Sequence, residues 1–318
     1  MAILELKSLE MSYKTREGNL RAIDGASLRV EKGDAIGIVG ESGCGKTSIG
    51  LSILGLLPPN ATIQGGEILF KGMNLVILNE KAMRKIRWKN ISMIFQAAMN
   101  ALDPVYRVGD QLIEALLEHQ NISKKKAGEK VEAMFKLVGL DPNRARNYPH
   151  EYSGGMKQRA IIAMSLICDP DIIIADEATT ALDVLVQDKI LSSIKKIQTE
   201  LTMTMLYISH DIAVISELCN KIAVMYAGNI VEYGDTLTLF KSPLHPYTQG
   251  LMQSFPNIRG ELKKLEGIPG EPPRLIDYSP GCKFYPRCQR AVRDCNSIRP
   301  EFAEIGEFHW VACHLYRR

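Results

Sequence analysis

Short apolar runs recur along this chain, each closed by a glycine, a turn or a charged residue. Residues 35–39, 91–95, 172–175 and 203–209 are runs of this kind, and their length predicts buried strands. Residues 3–9 and 26–30 predict strands of a small sheet near the N-terminus, and 68–70 a further strand after a turn at Gly65-Gly66. From about 97 to 158 the spacing becomes helical, with Val131, Met134, Phe135 and Val138 on one face and Gly139 as a stop. This stretch reads as a helical insertion. A later helix, opened by Asp183, carries Ile190, Leu191, Ile194 and Ile197, and residues 222–226 and 230–233 flank Ala227-Gly228-Asn229 as a hairpin.

Polar residues at the ends of these runs carry the chemistry. After the strand at 35–39 comes Gly40-Glu41-Ser42-Gly43-Cys44-Gly45-Lys46-Thr47, then an apolar helix over 47–57 stopped by Pro58-Pro59. Strand, glycine loop and helix in this order fit G-x-x-x-x-G-K-[ST], a phosphate cradle in which backbone N–H groups and a positive helix end face an anion. Lys46 then reaches the β- and γ-phosphates, and the Thr47 hydroxyl ligates Mg²⁺. Gln96 closes the run at 91–95, where side chains enter the mouth of an open α/β sheet. Asp176 and Glu177 end another buried strand, where two acids are costly unless something pairs with them. A Mg²⁺ held through water by Asp176 and a hydrolytic water polarised by Glu177 account for both. His210 again follows a strand, as a structural or a catalytic residue, and Tyr13 either stacks on a base or packs in a turn. Tyr152-Ser153-Gly154-Gly155-Met156-Lys157-Gln158-Arg159 opens a helix over 160–167, as a second anion site or a plain cap.

At 318 residues the chain exceeds one ordinary core, so one large domain with an appendage, or two domains, is expected. Hydrophobic content of 46% and charged content of 24% are those of a soluble globular protein. A net charge of +3 is too small to argue for a nucleic-acid partner, and the basic run Lys124-Lys125-Lys126 behind Ser123 reads as a solvated helical face. No apolar stretch approaches the ~18 residues of a membrane span, and the N-terminus lacks a signal pattern. A cytosolic chain is expected, with any membrane role borrowed from partners.

Beyond residue 242 lie nine of the 15 prolines and four of the seven cysteines, so this stretch reads as an irregular appendage needing a covalent or metal staple. Pro269-Gly270-Glu271-Pro272-Pro273 reads as a linker. Cys282, Cys288, Cys295 and Cys313 form a C-x5-C-x6-C-x17-C arrangement, which in a reducing cytosol favours a metal centre over disulfides. Zinc is the default for four cysteines but prefers closely spaced pairs, which are missing here, while iron–sulfur clusters accept wider spacing. Cluster, zinc and free thiols all stay open on the residues alone. Cys44, Cys168 and Cys219 lie within the core and are assigned no metal.

Taken in order, Tyr13, residues 40–47, Gln96, Ser153-Gly154-Gly155-Met156-Lys157-Gln158, Asp176-Glu177, Asp183 and His210 resemble seven motifs of the nucleotide-binding subunits of ATP-binding-cassette (ABC) transporters. They match the A-loop aromatic, Walker A, Q-loop, signature, Walker B, D-loop and switch histidine. The match spans roughly residues 1 to 240, with one departure at Tyr152, where the family usually has leucine. The tail resembles the oligopeptide and dipeptide importer branch, from His245-Pro246-Tyr247-Thr248 through Ile268-Pro269-Gly270 to Gly281-Cys282-Lys283-Phe284-Tyr285-Pro286-Arg287-Cys288.

The resemblance implies an α/β P-loop NTPase core with an N-terminal antiparallel β subdomain, a helical subdomain and a small irregular cysteine-containing appendage. The ATPase domain would cover 1–241 and the C-terminal region 242–318, with a [4Fe–4S] cluster on the four tail cysteines and zinc as the alternative. It implies ATP binding by Tyr13, Gly40, Ser42, Gly43, Cys44, Gly45, Lys46, Thr47 and Ser48, and Mg²⁺ binding by Thr47, Gln96 and Asp176. Glu177, His210, Lys46 and Gln96 would serve hydrolysis. Ser153, Gly154, Gly155, Met156, Gln158 and Asp183 would complete the site of a facing ATPase subunit, the same or a similar chain. Two transmembrane permease subunits and, indirectly, an extracytoplasmic solute-binding protein are the other partners implied, at the cytoplasmic face of a membrane importing peptides. The alternatives are an ABC ATPase of soluble machinery such as DNA repair or translation, a regulatory module without turnover, and an importer of another solute such as an oligosaccharide or metal complex. Long coiled-coil insertions and a second fused cassette, usual in the soluble relatives, are not found, and an intact Asp176-Glu177 pair opposes a module without turnover.

Overall fold

A computed structural model describes residues 2–95, 101–177, 184–254, 267–276 and 280–316. In chain order its elements are β1 (Ala2–Thr15), β2 (Gly18–Glu31), β3 (Ala35–Val39), α1 (Lys46–Leu54), β4 (Ala61–Phe70), β5 (Met73–Asn74), α2 (Glu80–Ile86) and β6 (Ile91–Ile94). Then follow α3 (Val108–His119), α4 (Lys124–Leu137), α5 (Gly154–Leu166), β7 (Ile172–Asp176), α6 (Val184–Leu201), β8 (Thr204–Ile208) and α7 (Ile212–Leu218). The chain continues through β9 (Lys221–Tyr226), β10 (Asn229–Asp235), α8 (Thr236–Lys241), α9 (Pro246–Gln253), β11 (Phe302–Gly306) and β12 (His309–Ala312). By internal contacts it divides into two compact units: Met1–Glu31, Ile36–Val76 and Ser209–Arg318 in one, Lys32–Ala35 and Ile77–Ile208 in the other.

The first unit holds an antiparallel sheet in the order β2-β1-β4-β5. Its strands are much longer than the apolar runs at 3–9, 26–30 and 68–70, because register shifts at bulges break the two-residue alternation that marks a strand. Gly65-Gly66 is the clearest case. The pair lies inside β4 and makes no turn; Gly66 has φ 82, and a Cβ there would meet the Ser8 carbonyl oxygen at 2.4 Å. The same unit pairs β3 with β9 in parallel, then β9, β10, β12 and β11 as antiparallel neighbours. Helix α1 is buried nearly all round, its polar Lys46, Ser48 and Ser52 included, and Ile49 and Ile53 are fully buried, as in a core helix. It ends before Pro58: Gly55 caps it, and the Leu56 N–H bonds the Leu51 carbonyl.

The described residues of the tail lie in this first unit and include a hairpin that the composition did not announce. The hairpin β11–β12 adds to the edge of β10, with Trp310 opposite Tyr233 and their rings 5.4 Å apart. Proline counts misjudge this stretch because the hairpin, at 302–312, lies beyond the last proline.

The second unit stacks β6, β7 and β8 in parallel, and β7 and β8 are buried throughout. Its helices α3, α4 and α5 pack against one another. In α4 the Ser123 hydroxyl accepts the Lys126 N–H, Lys124-Lys125-Lys126 are exposed, and Ala127, Val131 and Phe135 are buried. Val138 is also buried, whereas Met134 is half-buried, so the apolar stripe is narrower than expected. Among the described residues no helix is long and apolar enough to cross a membrane.

Candidate functional site

Residues 40–47 form a loop that leaves β3, bends back and enters α1. Gly45 stands at the helix N-cap with φ 106, and no side chain caps the helix there. A Cβ at Gly45 would meet the Ala22 carbonyl oxygen at 2.1 Å, so backbone packing as well as φ demands glycine. The loop is tied down from β9–β10 by the Gly228 N–H on the Cys44 carbonyl (2.9 Å), and Gly228 in turn accepts the Asp24 N–H (2.9 Å). Lys46 is 7% exposed; its Nζ donates to the carbonyls of Gly40 (2.8 Å) and Glu41 (3.1 Å) and lies 3.8 Å from Cys44 Sγ. The ammonium is thus folded over the loop, where phosphate oxygens can take over from two neutral carbonyls. Ser42, Gly43 and Thr47 face solvent, and Ser48 is buried beneath them.

Tyr13, on β1, is half-buried and shares a 3.0 Å hydrogen bond with the Ser48 hydroxyl. Residues 35 positions apart are joined at the rim of the loop, so the ring is anchored by its hydroxyl.

In the second unit, the strand β7 ends at Asp176, which is 1% exposed. Glu177 follows with φ 47, a left-handed backbone rare for glutamate, and its N–H bonds the Ile208 carbonyl at 2.9 Å. Strain of this kind fixes the direction in which a side chain leaves a strand end. Ser153 caps α5 by accepting the Met156 N–H (3.4 Å); Ser153 and Gly154 are exposed, Gly155 and Met156 half-buried and Gln158 buried. Tyr152, where a leucine was expected, is buried, and its hydroxyl donates to the Arg144 carbonyl at 2.7 Å. Burial pushes that phenol up to about 12, so it stays a neutral donor. The tyrosine ring fills the apolar position while its hydroxyl finds a partner.

In the first unit, His210 is exposed, just before Asp211 caps α7. Gln96 and Asp183 lie outside the described residues.

The tail cysteines converge. Cys282, Cys288, Cys295 and Cys313 line one small pocket with His245 and Phe284. Burial pushes the Cys282 thiol up to about 11 and raises Cys288 and Cys313 as well. All four are free thiols that share this one lining. Equally, no group of three or more His, Cys, Asp or Glu side chains among the described residues stands so as to hold a metal ion, contrary to the simple expectation of a formed centre. Thiols held apart round a pocket share a lining without sharing one ion's coordination shell.

Pattern reasoning missed two residues at the cradle. Arg287, 8% exposed and between two of the cysteines, makes a bidentate pair with Glu41 of the loop, at 2.8 and 2.9 Å. Tyr247, fully buried, accepts the Glu41 N–H with its hydroxyl (3.0 Å). No local signal links positions 246 residues apart in sequence, and Arg287 is not distinguished from Lys283 in the same cysteine loop.

The cradle, the buried acid at a parallel strand end and the exposed capped glycine loop define a P-loop ATPase of the ABC type. The family model for ABC transporters matches residues 23–180, and that for the oligopeptide/dipeptide transporter C-terminal region matches 231–295. The chain is 46% identical over 316 residues to the dipeptide transport ATP-binding protein DppD of Bacillus subtilis, covering 98% of this chain and 94% of that protein. It is 42% identical over 301 residues to the oligopeptide transport ATP-binding protein OppD of Escherichia coli, covering 94% and 89%. Among solved structures it resembles a dimeric bacterial ABC transporter cassette, with a TM-score of 0.65, 27% identity, and 73% of this chain and 98% of that one covered. The same cassette in a post-hydrolysis state with ADP and Pi gives 0.66 at the same identity and coverage. The chain belongs to the ATP-binding subunits of ABC transporters, in the oligopeptide/dipeptide branch, and is an ATPase.

Proposed function

We propose that this chain powers the import of di- or oligopeptides from the cytoplasmic face of a membrane. The observation that carries the reading is the oligopeptide/dipeptide-type C-terminal region at 231–295 on a chain similar over nearly its whole length to DppD and OppD. The division into an ATPase domain at 1–241, with a helical subdomain at about 97–158, and a C-terminal region at 242–318 is part of this reading. A second copy or a similar subunit faces it, two permease subunits lie above, and an extracytoplasmic binding protein delivers the solute.

In each composite site, Tyr13, Gly40, Ser42, Gly43, Cys44, Gly45, Lys46, Thr47 and Ser48 bind ATP. Ser153, Gly154, Gly155, Met156, Gln158 and Asp183 of the facing subunit close over the γ-phosphate. Glu177 orients the attacking water, and His210 and Gln96 contact the phosphate and relay its state. Thr47, Gln96 and Asp176 offer hydroxyl, amide and carboxylate oxygens, a donor set that suits Mg²⁺, whose chemistry there is to neutralise charge on the phosphates.

For the tail we propose a [4Fe–4S] cluster on Cys282, Cys288, Cys295 and Cys313, with zinc as the alternative. Their shared pocket supports it. A single zinc with bonds of about 2.3 Å needs its thiolates drawn tightly together, while a cluster holds its ligands farther apart. Anaerobically purified protein is expected to be brown with about four irons per chain; colourless protein with one zinc removes the cluster.

The functional test is copurification with two membrane proteins and mass spectrometry of the ligand retained by the cognate binding protein. Peptides are expected. An oligosaccharide or metal complex redirects the cargo, and purification without membrane partners returns the soluble-machinery reading.

A further inference from the structure

Glu41 places a carboxylate in a loop built to receive phosphates. A negative charge there opposes the ligand, and Lys46 Nζ already lies 3.1 Å from the carbonyl oxygen of the same residue. Were the carboxylate free to turn inward, it would offer Lys46 a charge-assisted bond, roughly twice as strong as a neutral one. The lysine would then be neutralised before nucleotide arrived.

The tail occupies that carboxylate from outside. Arg287 takes both its oxygens, and the guanidinium is itself held in place: Nε donates to the Pro269 carbonyl at 2.9 Å, and the Tyr226 and Phe284 rings lie 5.8 and 6.0 Å away. The Tyr247 hydroxyl accepts the Glu41 N–H, and its ring packs on Tyr226 at 4.6 Å and Phe284 at 5.5 Å. Two nitrogens of a guanidinium backed by two aromatic rings, and one tyrosine hydroxyl, thus meet one acidic residue of the cradle. Arg287 comes from 246 positions away in sequence to reach a carboxylate that lies at the edge of solvent.

We propose that Arg287 and Tyr247 are positioning residues for nucleotide binding: Arg287 holds the Glu41 carboxylate out of the cradle while Tyr247 fixes the Glu41 backbone, so that Lys46 keeps neutral partners that a phosphate can displace. The tail therefore sets the charge state of the cradle as well as closing the fold. This rests on residues 40–47 being the cradle, which Lys46→Ala tests separately.

The experiment titrates the full chain with MgATP by calorimetry and measures steady-state turnover in the assembled transporter. Arg287→Gln is expected to weaken ATP binding on the order of tenfold and to raise KM while leaving kcat at saturation largely intact. Adding Glu41→Gln to that variant removes the competing charge and restores most of the lost affinity. Arg287→Lys, which keeps charge but not the fork, falls between. Parent-like affinity in Arg287→Gln overturns the proposal. So does a double variant as weak as the single, since Arg287 would then be an anchor for the tail and nothing more. If Arg287→Gln does not fold, Arg287→Lys with and without Glu41→Gln carries the same comparison. Undiminished ATP binding by Lys46→Ala overturns the cradle assignment itself.

Discussion

Two glycine-containing loops open helices in this molecule, and they are built in opposite ways. The loop before α1 has no side-chain cap, is hemmed in by backbone from β2 and β9–β10, and buries its lysine. The loop before α5 carries its own cap, Ser153, and stands exposed with Gly154 beside it. An uncapped, rigidly packed helix start is suited to a ligand that supplies the missing acceptor, held within one chain. An exposed, self-capped one is stable alone and leaves its outer face to something beyond the chain. In the sandwich of two ATPase subunits proposed above, one loop of each kind meets each nucleotide.

The strongest way to sharpen this contrast acts on the strand-end acid. Glu177→Gln is expected to keep ATP binding and slow hydrolysis by roughly 10²- to 10⁴-fold, the usual contribution of a positioned general base. Near-normal turnover in the assembled transporter would take Glu177 out of its role.

A second test reads the tail through pH. His245 is fully buried and its Nδ1 accepts the Tyr247 N–H at 3.0 Å, so it must be neutral; burial lowers its pKa to about 4 from 6.5. The unfolded chain takes up a proton between those values and the folded chain does not. This contribution to stability is therefore complete above pH 6.5 and falls, by at most about 3 kcal/mol, as pH drops toward 4. Chemical denaturation between pH 7 and 5 measures it, and His245→Asn, which keeps an acceptor without titrating, should flatten the profile. An unchanged slope in that variant assigns the loss to other groups.

Ser153→Ala comes next: it removes a cap worth about 1 kcal/mol and should lower turnover of the assembled pair by roughly tenfold. Lys46→Ala, by contrast, strikes binding in the single chain. If both variants abolish ATP binding by the isolated chain equally, the distinction between the two loops collapses.

The smallest expected effect concerns Tyr13. Tyr13→Ala should weaken ATP affinity and Tyr13→Trp preserve it, while Tyr13→Phe, which loses only the bond to Ser48, should cost about 1 kcal/mol or less. Equal affinity in all four forms would leave the ring a packing residue.

Much of the site could be read from residue order because its chemistry is local. A cradle needs its glycines, lysine and threonine within eight consecutive positions, a buried strand ending in Asp176-Glu177 announces itself by apolar length, and Ser153 caps a helix three residues away. Strand extents were harder. In β1, β2 and β4 the bulges interrupt alternation, and Gly65-Gly66 imitates a turn while lying in mid-strand. The left-handed backbone of Glu177 and the convergence of four cysteines spaced across 32 positions are likewise invisible in composition.

Local spacing therefore sets the cradle, the helix cap and the parallel strands, since each depends on neighbours within a turn or a strand length. The pairing of Arg287 and Tyr247 with Glu41 depends on packing between segments more than two hundred residues apart. No pattern along the chain encodes which buried cation meets which carboxylate. Only the folded packing of Tyr226, Tyr247 and Phe284 aims that guanidinium at the cradle.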